Sequence, residues 1–200
     1  DSYAAEREIE DLAAVISYAG GPAGVFGHSS GAVLALEAAA RGVEVAKVAA
    51  YEPTYVIEGT RPRPGDDLAD RVQTLLDKGD RDRAVAVFQA EVVGLAGEII
   101  EGMRGSPIWG WFTGLAHTLP YDMILCGPGM RLPAGRLAGI TVPVLAIGGG
   151  ASSPWLPAAA RAVADTVPGG RYVPLDGQDH GVLQQPGALR PLLTSYFGAE

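Results

Sequence analysis

Two hundred residues are enough for one hydrophobic core and fit a single domain by length. Apolar residues make up 48 % and charged residues 19 %, which excludes a disordered chain, and 28 glycines with 15 prolines show no collagen-like period. A net charge of −8 with scattered basic residues disfavours nucleic acid and anionic membrane surfaces as partners, a single cysteine excludes an internal disulfide, and no apolar run is long enough to span a bilayer.

Ile9, Leu12, Ala13, Val15 and Ile16 fall near helical spacing behind an acidic start, so the chain opens on an amphipathic helix stopped by Gly20, Gly21 and Pro22. Ala23 to Phe26 reads as a buried strand ending at Gly27. Ser30 to Ala40 is small or aliphatic throughout and predicts a helix covered on most sides. Val43 to Tyr51 is the second strand, ending at Glu52 and Pro53. Residues 58–67 hold Pro62, Pro64 and Gly65 and read as a loop, followed by helices over Leu68 to Leu76, Arg83 to Phe88 and Val92 to Met103. The segment with Trp109, Trp111, Phe112, Leu115 and Leu119 either lines a pocket or packs the inserted helices. Val142 to Ile147 is the third strand and Ala158 to Val167 a helix. Arg171 to Leu175 is the fourth strand and Leu189 to Phe197 the closing helix. Strands and helices joined by short connections predict an α/β fold with a mostly parallel sheet.

The strongest local signal is Gly27-His28-Ser29-Ser30-Gly31 between a strand and an alanine-rich helix. A sharp strand-to-helix turn flanked by glycines projects the central serine oxygen above the sheet, and the backbone N–H of Ser30 points where an oxyanion would form. Ser29 therefore reads as a nucleophile. His28, next to it, is expected to point away and pack or give support from behind. Of the three histidines, His180 is the candidate base, because its loop Asp176-Gly177-Gln178-Asp179-His180-Gly181 follows the last short strand at the crest where such sites assemble. His117 lies among the inserted helices and reads as a packed or surface residue.

A third group, an acid, should fix the imidazole tautomer. Its natural place is just beyond the strand at 142–147, where the sequence has Gly148-Gly149-Gly150-Ala151-Ser152-Ser153 and no carboxylate. Asp122 is the first candidate and Glu52 the second; Asp176 and Asp179 remain, as does the option of no acid at all. Cys126 has no surroundings that would lower a thiol pKa, and the three glycines lack the Lys and Ser/Thr of a phosphate loop. No metal or cofactor is expected.

With the elbow, the helical insertion, the late strand and the histidine loop, the chain resembles the alpha/beta-hydrolase superfamily, closest to its small esterase-like or haloperoxidase-like members. The resemblance implies a partial alpha/beta-hydrolase fold: a core over 1–57 and 139–200, with a helical cap insertion over 58–138 that shapes an acyl pocket. It implies Ser29 as nucleophile, His180 as base, the Ser30 amide as an oxyanion donor, and a small hydrophobic ester, thioester or lactone as substrate. The rival expectation is a body of the same fold that catalyses a cyclisation or rearrangement, or only binds a small ligand. The resemblance also implies further strands before the nucleophile strand. That strand is then an apolar edge, and an N-terminal fragment or companion chain is expected to complete the sheet; a homo-oligomer stays open. The expected location is the cytoplasm, although a mature secreted chain would show the same pattern.

Overall fold

The computed structural model describes residues 3–198. They fall into two compact units: Tyr3–Ala4 with Arg63–Met130, and Ala5–Pro62 with the chain from Arg131 onward. The helical unit is thus shorter than the expected insertion. Residues 58–62 and 131–138 belong to the sheet unit, where Arg136 of the short helix over Ala134–Leu137 forks onto the buried carboxylate of Glu37 at 2.9 and 3.2 Å.

The sheet unit holds four parallel strands in the order β1-β2-β3-β4: β1 Ala23–His28, β2 Val45–Tyr51, β3 Val144–Gly149 and β4 Gly170–Leu175. Helix α1 covers Ala5–Tyr18, and α2 covers Ser30–Ala40. The lack of a polar face on α2 has the expected consequence: Ala32, Val33, Ala35, Leu36 and Ala38 are all buried. Apolar side chains of β2 and β3 form the core, with Ala49, Tyr51, Leu145 and Ile147 fully buried beside Val182 and Leu189. These strands are near-continuous apolar runs because a parallel sheet is covered on both faces. Close approach fixes two glycines. A methyl group on Gly24 would strike the ring of Phe197, and one on Gly170 would stand 2.3 Å from the Ala164 carbonyl oxygen.

The helical unit contains α3 Leu68–Asp77, α4 Arg81–Phe88, α5 Gly97–Met103, α6 Pro107–Leu115 and α7 Leu119–Cys126. The single helix expected from Val92 to Met103 is interrupted. A π-turn at Gln89–Val93 ends on Gly94, whose φ of 85° is left-handed and stops helical propagation before α5 begins. The aromatic segment forms α6. Its Trp109 is buried with Val85, Ile100 and Ala116 and donates its indole N–H to Asp82 at 2.7 Å, while Arg104 pairs with the same carboxylate. Trp111 is exposed. Helix α8 is Ala134–Leu137, α9 is Trp155–Thr166 and α10 is Arg190–Gly198, all in the sheet unit. Among the described residues no helix is long and apolar enough to cross a membrane.

The sheet core predicts its own sensitivity. Leu145→Ala, at a fully buried site in β3, is expected to cost about 2–5 kcal/mol, read as a lower urea midpoint with an unchanged slope.

Candidate active site

The site grows from the C-terminal ends of the strands. Beyond β1, the amide of Ser29 donates to the carbonyl of Tyr51 at 3.0 Å. Beyond β2, the amide of Glu52 donates to Ile147 at 2.9 Å, and beyond β3, that of Gly150 donates to Leu175 at 3.0 Å. Each chain therefore leaves the sheet from a fixed last rung. At the first two exits the backbone turns sharply, with φ of 58° at Ser29 and 47° at Glu52, left-handed values that cost a non-glycine residue about 1–3 kcal/mol. Strain of this size persists only where the surroundings over-determine it.

The elbow requires one of its two glycines for space. A methyl group on Gly27 would stand 2.2 Å from the Gly31 carbonyl oxygen and 2.7 Å from the Ala32 Cα, whereas one on Gly31 would meet nothing within 4 Å. Of the two glycines that flank the turn, close approach thus enforces Gly27 only. Ser30 opens α2, so its N–H is among the donors that a helix start leaves without an intrahelical partner.

His180 lies in the loop after β4 and faces Ser29, its Nε2 3.1 Å from the serine Oγ. Its Nδ1 stands 2.7 Å from Oε2 of Glu52, a fully buried carboxylate whose Oε1 accepts the backbone N–H of Gly149 at 2.8 Å. The carboxylate at the imidazole is therefore Glu52, the second of the sequence candidates, placed just past β2. The glycine run fills the end of β3 for a physical reason. A side chain on Gly149 would collide with the Gln178 carbonyl, the Tyr51 hydroxyl and Ser152 Oγ at 2.6–2.7 Å, and the bare backbone instead donates to Glu52.

Asp122, ranked ahead of Glu52 from sequence, stands in the first turn of α7 in the helical unit, where a helix dipole favours an acid. Asp179 turns its carboxylate onto the N–H of Gly181 at 2.8 Å, closing its own loop. His117 is exposed on a 3₁₀ turn of the helical unit. Cys126 is buried. Among the described residues no group of three or more His, Cys, Asp or Glu side chains is placed to hold a metal ion.

Two further neighbours bond the loop that carries His180. His28 places Nε2 2.8 Å from the His180 carbonyl, and the fully buried Tyr51 donates its hydroxyl to the Asp179 carbonyl at 2.8 Å. Burial, reinforced by the adjacent His180, holds the His28 imidazole below its ordinary pKa. A carbonyl only accepts, so neutral His28 carries its proton on Nε2. Burial also pushes the Tyr51 phenol well above its usual range, helped by the Glu52 and Asp179 carboxylates, and keeps it a donor.

Residues 1–192 match the alpha/beta hydrolase family along almost the whole chain. The chain belongs to that family. A solved alpha/beta hydrolase from Sphaerobacter thermophilus shares 44 % identity at a TM-score of 0.88, over 98 % of this chain and 76 % of that one. A hydrolase from Pseudomonas aeruginosa (18 % identity, TM-score 0.69, 100 % and 74 % covered) and the enol-lactonase from Burkholderia xenovorans (16 %, 0.68, 98 % and 74 %) share the fold. No curated protein matches the sequence. In this member of the family Ser29, His180 and Glu52 make the contacts expected of a Ser-His-acid triad.

Two predictions follow from the site's construction. Gly27→Ala is expected to destabilise by about 1–3 kcal/mol, whereas Gly31→Ala is neutral or slightly stabilising; paired denaturant titrations read the contrast. Because folding depresses the His28 pKa, the unfolded chain binds a proton that the native state resists. Stability therefore falls as pH drops below the ordinary histidine value of about 6.5, and His28→Gln removes that part of the slope in pH-dependent unfolding.

Proposed function

We propose that the protein is a serine hydrolase acting on an ester, thioester or lactone of a small hydrophobic substrate. The observation that carries this reading is the continuous contact from Ser29 Oγ through His180 to the buried Glu52 carboxylate. As Ser29 attacks the substrate carbonyl, its proton passes to His180 Nε2, and Glu52 holds the imidazole by its Nδ1–H and stabilises the imidazolium. The oxyanion is received by the Ser30 amide at the start of α2. His180 then returns the proton to the leaving group, and water attacks the acyl-serine with the same base. Glu52 carries its charge without exposure to water because Gly149 and His180 supply its hydrogen bonds.

Within itself the helical unit holds an apolar cavity of about 210 Å³ whose lining includes Leu68, Ala69, Met123, Ile124 and Met130, and none of Ser29, Glu52 and His180 lines it. The reading extends to the sheet edge: among the described residues β1 is hydrogen-bonded to β2 only, and an edge carrying Val25 and Phe26 takes a further strand, from an N-terminal fragment or a companion chain.

A fluorophosphonate probe is expected to label the protein at Ser29, located by mass spectrometry of the modified peptide, and Ser29→Ala to abolish labelling. Glu52→Gln is expected to lower kcat on a p-nitrophenyl ester by about a thousandfold or more, since the imidazole loses the charge that supports it. An unlabelled Ser29 in folded protein would move the reading to a binding or rearrangement role for the same fold.

A further inference from the structure

The loop that carries His180 is held at two successive carbonyls. Tyr51 donates to that of Asp179 and His28 to that of His180, both at 2.8 Å. These two donors are register partners on adjacent parallel strands, with rings 5.7 Å apart and 19° from parallel, and each immediately precedes a triad residue: His28 before Ser29, Tyr51 before Glu52. Tyr51 also accepts the Ser29 amide on its own carbonyl. A single residue thus touches the nucleophile through its backbone, is bonded to the acid through the chain, and fixes the base loop through its side chain.

We propose that His28 and Tyr51 are positioning residues that together set the His180 imidazole between Ser29 and Glu52. The proposal rests on the reading of those three residues as the catalytic triad.

The physical need is clear from the loop. It contains Gly177, at a φ of 70°, and Gly181, and loops of this composition move more readily than strands. Proton transfer over 3.1 Å tolerates little displacement, and a misplacement of about 1 Å costs about a hundredfold in rate. Two side-chain bonds from the strands that carry nucleophile and acid put all three groups in one frame. The Tyr51 hydroxyl is buried, so its bond to Asp179 cannot be exchanged for one to bulk water without moving the loop. Packing alone would not require donors: phenylalanine and leucine fill similar space.

The test uses the full chain with Tyr51→Phe, His28→Leu and His28→Gln. Ester turnover and fluorophosphonate labelling are each read per folded molecule, beside the low-field proton resonance of the His180–Glu52 bond. Tyr51→Phe and His28→Leu are expected to lower kcat by about tenfold or more while KM changes by less than about threefold, and to shift that resonance. His28→Gln, which keeps an N–H at similar reach, recovers turnover relative to His28→Leu. Turnover in both deletion variants within about twofold of the parent, in a parent that labels at Ser29, overturns the proposal while leaving the triad intact. A parent that neither labels nor turns over overturns the triad reading instead. The resonance then still decides the clamp, which is overturned if neither variant moves it. Should one deletion variant fail to fold, the other carries the same readouts.

Discussion

The amide of Ser29 bonds the carbonyl of Tyr51 and that of Glu52 bonds the carbonyl of Ile147, so Ser29 and Glu52 are both placed by the last rungs of one parallel ladder. Everything else at the site is referred to that frame. The left-handed turns at Ser29 and Glu52 lift both side chains out of the sheet just past those rungs, and the fully buried Ala49, Tyr51, Leu145 and Ile147 keep the rungs from shifting. A close-packed interior resists displacement, which is what allows two strained residues to persist side by side.

His180 reaches this frame from the loop after β4 by contacts of a different kind. Its imidazole is held by Glu52, and its backbone neighbourhood by Tyr51 and His28. Glu52 in turn is anchored on the Gly149 amide, at a point where any side chain would displace the Tyr51 hydroxyl or the Gln178 carbonyl. Glu52 therefore needs the glycine on β3 as much as His180 needs Glu52. A buried carboxylate without those donors would carry an uncompensated charge at a cost of several kcal/mol.

The carboxylate at His180 Nδ1 comes from the residue just past β2, the strand paired with β1, and beyond β3 it is the bare backbone of Gly149 that faces this carboxylate. The elbow shows the same economy of constraint. Only Gly27 is enforced by close approach, because its Cα lies under the first turn of α2, while Gly31 faces open space.

Local pattern was enough for much of this. The apolar runs ending at Gly27 and Tyr51, the strand entering at Pro143 and the short strand before the histidine loop all read as parallel strands, because period and punctuation are properties of neighbouring residues. The same holds for the elbow, whose glycine, serine and following helix are contiguous, and for His180 as the histidine beyond the last strand. The broken helix at Gly94 was weaker in the sequence, since an isolated glycine stops a helix only when its backbone turns left-handed, and tertiary packing decides that. What the sequence left open was every relation across the sheet. Whether Glu52 or Asp122 reaches His180, what three glycines do where an acid was expected, and why tyrosine and histidine precede the two strained residues depend on which strand ends lie side by side. Those pairs are separated by about a hundred residues or more, and register and packing bring them to hydrogen-bond distance.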